Sequence, residues 1–247
     1  MFSLNIIKNL LQAPVSQRRV LEETYALLPS TSCQRRTLCC SILPETTLLE
    51  VLAVIKHSAK MAPGIRRQLT KKIICYFFLN PVEITMCPFL EGQECLIYRK
   101  RFFGCRAYGL WSKKYYENIS ERSRQVKNHV RNQWEILGIS LPQKVTDFQV
   151  QYCSSVETDG HVSTDDDFIL NVSDRIHNLS RQLHQWHQLF VDGYFSDMSF
   201  LLASLIFGVN ESIRMKFGIV SDITSTGNKI RLNKIVEALP DIFADLN

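Results

Sequence analysis

Six of the chain's eight cysteines fall in two short, turn-rich blocks, and any fold must give those thiols a role. The second block, residues 87–106, reads C-P-F-L-E-G-Q-E-C-L-I-Y-R-K-R-F-F-G-C-R. It supplies Cys87, Cys95 and Cys105 amid turn residues and aromatics. The first, T-S-C-Q-R-R-T-L-C-C, supplies Cys33, Cys39 and Cys40. With 247 residues, 45% of them hydrophobic and 21% charged, the chain can build an ordinary core, so disulfides are not needed to replace one. The N-terminus lacks a basic segment ahead of a long apolar run and reads as a short amphipathic helix rather than a signal peptide. No apolar run approaches the length of a membrane span. A cytoplasmic, reducing setting is therefore expected, where clustered cysteines favour metal or redox chemistry over disulfides.

The two blocks are expected to meet in space and hold metal. Thiolates are soft ligands that suit zinc, copper(I) or iron–sulfur clusters. Six exceed the four that one tetrahedral ion takes, which places an iron–sulfur cluster or iron ahead of zinc. The expected ligands are Cys33, Cys39, Cys40, Cys87, Cys95 and Cys105. Cys75, inside the apolar run I-I-C-Y-F-F, and Cys153, on a candidate strand, read as packing residues instead.

Apolar spacing predicts helices over 2–12 and 17–28, with Pro14 between them. After Pro44 a helix begins, with Thr46 or Thr47 as its cap, and residues 63–64 are read as its end. Further helices are expected over 66–79, 112–137, 165–191, 195–207 and 229–246, with a candidate strand within 143–163. The architecture implied is mainly α, an irregular helical fold around a cysteine-rich metal centre, with room for one short β-hairpin. Residues 1–29 would form N-terminal helices, 30–112 the cysteine core, and 113–247 a helical C-terminal region packed with that core.

The order of cysteines with C-P-F-L, then C-x-I-Y, then the arginine-flanked last cysteine resembles the YkgJ-type cysteine-cluster family of zinc- or iron-chelating proteins, relatives of which are the flagellin lysine N-methylases. The residues that carry it are Cys33, Cys39 and Cys40, then Cys87, Pro88, Phe89 and Leu90, then Cys95, Ile97, Tyr98, Arg101, Cys105 and Arg106. The likeness spans roughly residues 30–110. Three positions depart from the pattern. Arg36 stands where the family has a cysteine, Thr37 where it has a glycine, and Phe102 where it has a proline. The resemblance implies metal, and through the methylases an enzyme in which the metal takes part.

The cations around the blocks bear on the same site. Arg36, Arg101 and Arg106 are expected to offset the negative charge of a thiolate-bound group. The basic patch at 99–114, with Phe102, Phe103, Tyr108 and Trp111, is also a candidate nucleic-acid surface, and the net charge of +5 permits that without demanding it. Otherwise the partner is a protein or small-molecule substrate of unassigned identity. His177, His184 and His187 read as ordinary surface or core residues on one helix, since no H-E-x-x-H arrangement accompanies them. Residues 165–167 read as helix-capping aspartates. Against the enzyme stands a non-catalytic, zinc-stabilised module for protein or nucleic-acid interaction.

Overall fold

A computed structural model describes residues 1–12, 15–33, 37–158 and 165–246, with the side chains of Val15 and Cys33 outside that set. Among these residues the chain is mainly α-helical, with two small antiparallel sheets. It begins with α1 (Leu4–Gln12) and α2 (Val15–Tyr25), followed by strand β1 (Thr31–Cys33) and a 3-10 turn at Leu38–Ser41. Helix α3 (Leu48–Ser58) is the hub of this half. Its start is fixed by a capping box: Thr47 Oγ1 accepts from the Glu50 N–H while the Glu50 carboxylate accepts from the Thr47 N–H. Its apolar residues from Leu48 to Ile55 are almost all buried.

Pro63 does not end that helix. It sits in the first turn of α4 (Pro63–Leu79), where its missing N–H leaves no bond unmade. The back half of α4, from Ile73 to Leu79, is the hub of the other half and packs against later helices. Next come β2 (Leu90–Glu91) and β3 (Glu94–Cys95), a hairpin pairing Leu90 with Cys95 and Glu91 with Glu94. A 3-10 turn at Tyr98–Lys100 leads to α5 (Phe103–Ala107).

Helix α6 (Lys113–Ile136) lies where the sequence puts it, yet has no fully buried residue: Val126 is 60% exposed and Ile136 77%. It is held at points along its length. Trp134 stacks on Phe217, Tyr116 donates to the Val150 carbonyl and Lys127 to that of Phe148. The strand expected within 143–163 is mostly not one. Residues Gln143–Thr146 form the short α7, an irregular stretch follows, and β4 covers only Val156–Thr158. It pairs antiparallel with β1, Cys33 opposite Val156.

Helix α8 (Asp166–Arg181) is capped by Asp165, which accepts from the Phe168 N–H at 2.7 Å. Asp166 accepts from the N–H and hydroxyl of Ser112, tying the start of α8 to the start of α6. The helix expected to run on to residue 191 breaks first, and α9 covers Gln185–Tyr194, with His184 at φ 49°. A straight helix would set residues 180 and 187 about 10.5 Å apart along its axis. The break brings Ser180 Oγ and His187 Nδ1 to 2.9 Å inside the core.

Helix α10 (Met198–Phe207) starts at Asp197, whose carboxylate accepts from the Ser199 and Phe200 N–H groups. Helix α11 (Val209–Thr226) was not legible, because its last turns read S-D-I-T-S-T. There Thr224, Ser225 and Thr226 return their hydroxyls to carbonyls four residues back, a pattern that slightly weakens a helix, and Gly227, at φ 71°, ends it with its N–H on the Ile223 carbonyl. The helix expected over 229–246 is two, α12 (Ile230–Glu237) and α13 (Ile242–Asp245).

Two sets of helices result. Around α3 lie α1, α2, α8 and α9; around α4 lie α10, α11, α12 and α13. One hydrophobic core runs through both and joins residues from Phe2 to Leu246. Among the described residues no single helix is long and apolar enough to cross a membrane; α9 and α10 reach that composition only together, bent 92° apart. Residues Met198 to Ser204 of that pair are buried in the core.

Candidate metal centre

The two cysteine blocks meet. The Cys87 N–H donates to the Cys40 carbonyl at 2.6 Å, a direct backbone bridge between them. Upstream, the 3-10 turn Leu38–Ser41 carries Cys39 and Cys40, closed by the Cys40 N–H on the Thr37 carbonyl at 2.8 Å. Thr37 adopts φ 57°, a left-handed conformation that a β-branched residue enters at a cost and glycine does not. It is the position at which the resembling family carries glycine.

The second block folds on an aromatic floor. Phe89 and Phe102 are both buried, edge to face with ring centroids 6.0 Å apart. The Leu90 N–H closes a turn on the Cys87 carbonyl, and the Leu96 N–H bonds the Phe89 carbonyl across the hairpin. The backbone N–H groups of Phe89 and Ile97, each two residues on, act on Cys87 and Cys95 and pull those thiols down against their burial. Such donors favour a charged sulfur over a neutral one. Cys105 rides on α5. The first turn of that helix is anchored where the Phe103 N–H donates to the buried Glu50 carboxylate at 2.6 Å. Glu50 also accepts from Tyr25 Oη at 2.7 Å and from the N–H and hydroxyl of Thr47 at 2.9 Å each. Close packing continues on either side. A Cβ on Gly104 would meet Pro44 at 2.9 Å, and one on Gly109, at φ +86°, would meet Val156 at 2.5 Å.

Cys39, Cys40, Cys87, Cys95 and Cys105 all line one cavity of about 240 Å3. Arg101 forms part of its wall, and the exposed side chains of Gln93, Glu94, Tyr98 and Arg99 stand at its edge. The sulfurs of Cys39 and Cys40 are 3.9 Å apart. Among the described residues, however, no three His, Cys, Asp or Glu side chains are gathered tightly enough to hold one metal ion. All five thiols are unpaired in disulfide terms. Cys33 reaches the area by its backbone, in β1; its side chain and all of Arg36 lie outside the described residues.

The electrostatics are uneven. A hydrogen bond from Cys40 pulls the Cys39 thiol down to about 7, against burial and with help from the Arg101 charge. The same hydrogen bond, with burial, pushes Cys40 up. Burial pushes Cys87 up to about 12, raises Cys95, and raises Cys105 well above the ordinary thiol range. For Cys87 and Cys105 the neighbouring thiols add to the rise. Several buried thiolates side by side are therefore costly, unless a cation lies among them and reverses the balance. In the metal-free chain, Cys39 is expected to be alkylated first, with a rate rising as pH passes about 7 because the thiolate is the nucleophile. Mass mapping after brief iodoacetamide treatment checks this. First modification at Cys40, or a profile that rises only in the ordinary thiol range, would contradict it.

The arginines divide. Arg101 faces the cysteines, as the sequence suggests. Arg106 does not line the cysteine cavity; it donates to the carbonyls of Arg101 and Arg99 at 2.9 and 2.7 Å and stacks 4.2 Å from the centre of the Tyr25 ring. It braces the 99–101 turn. In the basic patch, Phe102 is buried and unavailable to any nucleic acid, Lys100 pairs with Glu22, and Trp111 stacks on Tyr115. The histidines do not share a face. His177 on α8 bonds the Ser173 carbonyl, His187 is buried on α9, and His184 sits at the break.

Cys75 is half-buried against the core, on α4, and is not among the residues lining the cysteine cavity. Cys153 is a packing residue, as its sequence context suggests, but not on the expected strand. It is buried, on an irregular stretch rather than a strand, and lines a small neighbouring cavity of about 40 Å3 together with Cys39, Cys105 and Arg101. Compared with models of known protein families, with curated proteins and with solved structures, the chain matches none. The resemblance of the two blocks to the cysteine-cluster family thus rests on the residues quoted for it.

Proposed function

We propose that this chain is a metal-binding protein whose centre is an iron–sulfur cluster held by thiolates of both cysteine blocks. The observation that carries the reading is the common cavity of five thiols, two from the first block and three from the second. Its volume of about 240 Å3 exceeds what a bare ion needs, and the thiols surround it without three converging on one point. That arrangement suits a group of several atoms better than a single ion. The Phe89 and Ile97 N–H donors and the Arg101 charge would stabilise the bound thiolates, and Phe89 and Phe102 would keep water from beneath them.

When bound, such a cluster supplies electron transfer or a Lewis-acid position. The exposed edge at Gln93, Tyr98 and Arg99 gives a substrate access to it, which favours an active centre over a purely structural one. A zinc-stabilised interaction module is the second reading, favoured by one distance. Two thiolates on a tetrahedral zinc lie about 3.8 Å apart, given a zinc–sulfur bond of about 2.3 Å. Cys39 and Cys40 are 3.9 Å apart.

Anaerobic purification followed by iron, acid-labile sulfide and zinc analysis tests the proposal. Iron and sulfide in comparable amounts are expected in the wild type and in Cys75→Ser alike. Stoichiometric zinc in a colourless protein would replace the cluster with the second reading. Well-folded protein without metal would refute both.

A further inference from the structure

The cysteine cavity shares a wall with another. Arg101 lines both it and a second, more polar cavity of about 470 Å3, a volume that accommodates a small organic molecule. The second cavity lies between α2, the start of β1 and the 3-10 turn at Tyr98–Lys100, and Arg99 and Arg106 also line it. Its one acidic lining residue, Glu22, is paired with Lys100 at 2.8 Å. Three guanidinium charges thus line a space whose only carboxylate among the described residues is engaged elsewhere.

The state of each arginine sharpens this. Arg106 is committed to backbone carbonyls and contributes charge from behind. Arg101 lies over the Tyr98 ring at 4.3 Å and donates one Nη2 bond to Thr31 Oγ1 at 3.2 Å. Its Nε is buried and has no partner among the described residues. That atom is closed off from the cavity, so what Arg101 offers a ligand there is the charge of its guanidinium and the remaining Nη donors. Arg99 is exposed and has no carboxylate partner among the described residues. Fixed planar donors converging without a carboxylate are the arrangement that recognises carboxylate and phosphate groups.

We propose that this second cavity binds a small metabolite by its carboxylate or phosphate group, gripped by Arg99 and Arg101, with the rest of the molecule beside the cysteine cavity. The anion site stands on its own charges; that its ligand is the substrate of the thiol centre rests on the metal-binding reading.

Calorimetric titration of the full chain at low ionic strength, with inorganic phosphate and separately with malonate, tests the site. Saturable binding of one or both at a single site is expected, weakened about tenfold or more in Arg99→Gln, the loss typical of a charge-assisted hydrogen-bonded contact. Arg99 is exposed, so that variant keeps the fold if Arg101→Gln does not. Lys113→Gln, a basic residue outside the cavity, should bind as the wild type does. Preference between the two probes tells carboxylate from phosphate recognition. No saturable heat with either probe, or equal weakening by Arg99→Gln and Lys113→Gln, would overturn the inference. Metal content measured on the same samples separates the two claims. Metal-free protein with Arg99-dependent binding sinks the metal reading alone, and metal-loaded protein without binding sinks the anion site alone.

Discussion

Glu50→Ala is expected to destabilise the protein by about 3–5 kcal/mol, more than most single changes. The carboxylate is 3% exposed and accepts from Tyr25 Oη, the Thr47 N–H and hydroxyl, and the Phe103 N–H. Removing it strands donors from α2, the cap of α3 and the first turn of α5 in the core, where each unmade bond costs about 1–3 kcal/mol. Rearrangement and entering water return part of that sum. Glu50→Gln keeps the shape and one acceptor oxygen, and should lose roughly half as much. Chemical denaturation of the three proteins checks this. A loss below about 1 kcal/mol in Glu50→Ala would mean the network contributes no more than a surface contact. Because the Phe103 bond starts the helix that carries Cys105, the same change should also lower metal content.

Phe89→Ala is the second large effect, about 3–5 kcal/mol, the range for truncating a buried aromatic whose surroundings collapse only in part. Phe89 is fully buried against Phe102, between a turn that holds Cys87 and a hairpin that holds Cys95. The cavity left would open beneath the sulfurs. Thermal denaturation reads the stability, and a faster loss of metal to a chelator than in the wild type reads the site in the surviving folded protein. Wild-type stability would show that Phe89 is not the floor of this loop pair.

The helices most legible in the sequence were those whose packing face and ends agree. In α3, apolar spacing, a threonine cap and a glutamate three residues on all point the same way, and all are realised. Where tertiary contacts decide, local pattern misleads. The α8–α9 break serves the Ser180–His187 contact, and α11 forms because Met215, Ile219 and Val220 are buried, although its last turns are poor helix formers. For α6 the pattern gave the helix but not its exposure, because no neighbouring element covers Val126 and Val130. The candidate site was legible in its chemistry: five of the six cysteines chosen by position line one cavity. What pattern could not give was Cys153, brought near by the β1–β4 pairing from a distant stretch, or the division of labour between Arg101 and Arg106. Both depend on a three-dimensional turn, not on spacing.

The claim on which the rest depends is that the two cysteine blocks form one centre. The most direct measurement is the metal-to-protein ratio of three anaerobically purified proteins: wild type, the pair Cys39→Ser with Cys40→Ser, and the pair Cys87→Ser with Cys95→Ser. Their sulfurs face a common cavity, so either pair of changes should abolish binding almost completely, in proteins whose circular dichroism remains helical. Retention of a constant fraction of the metal by each pair would mean two independent sites and would contradict the account.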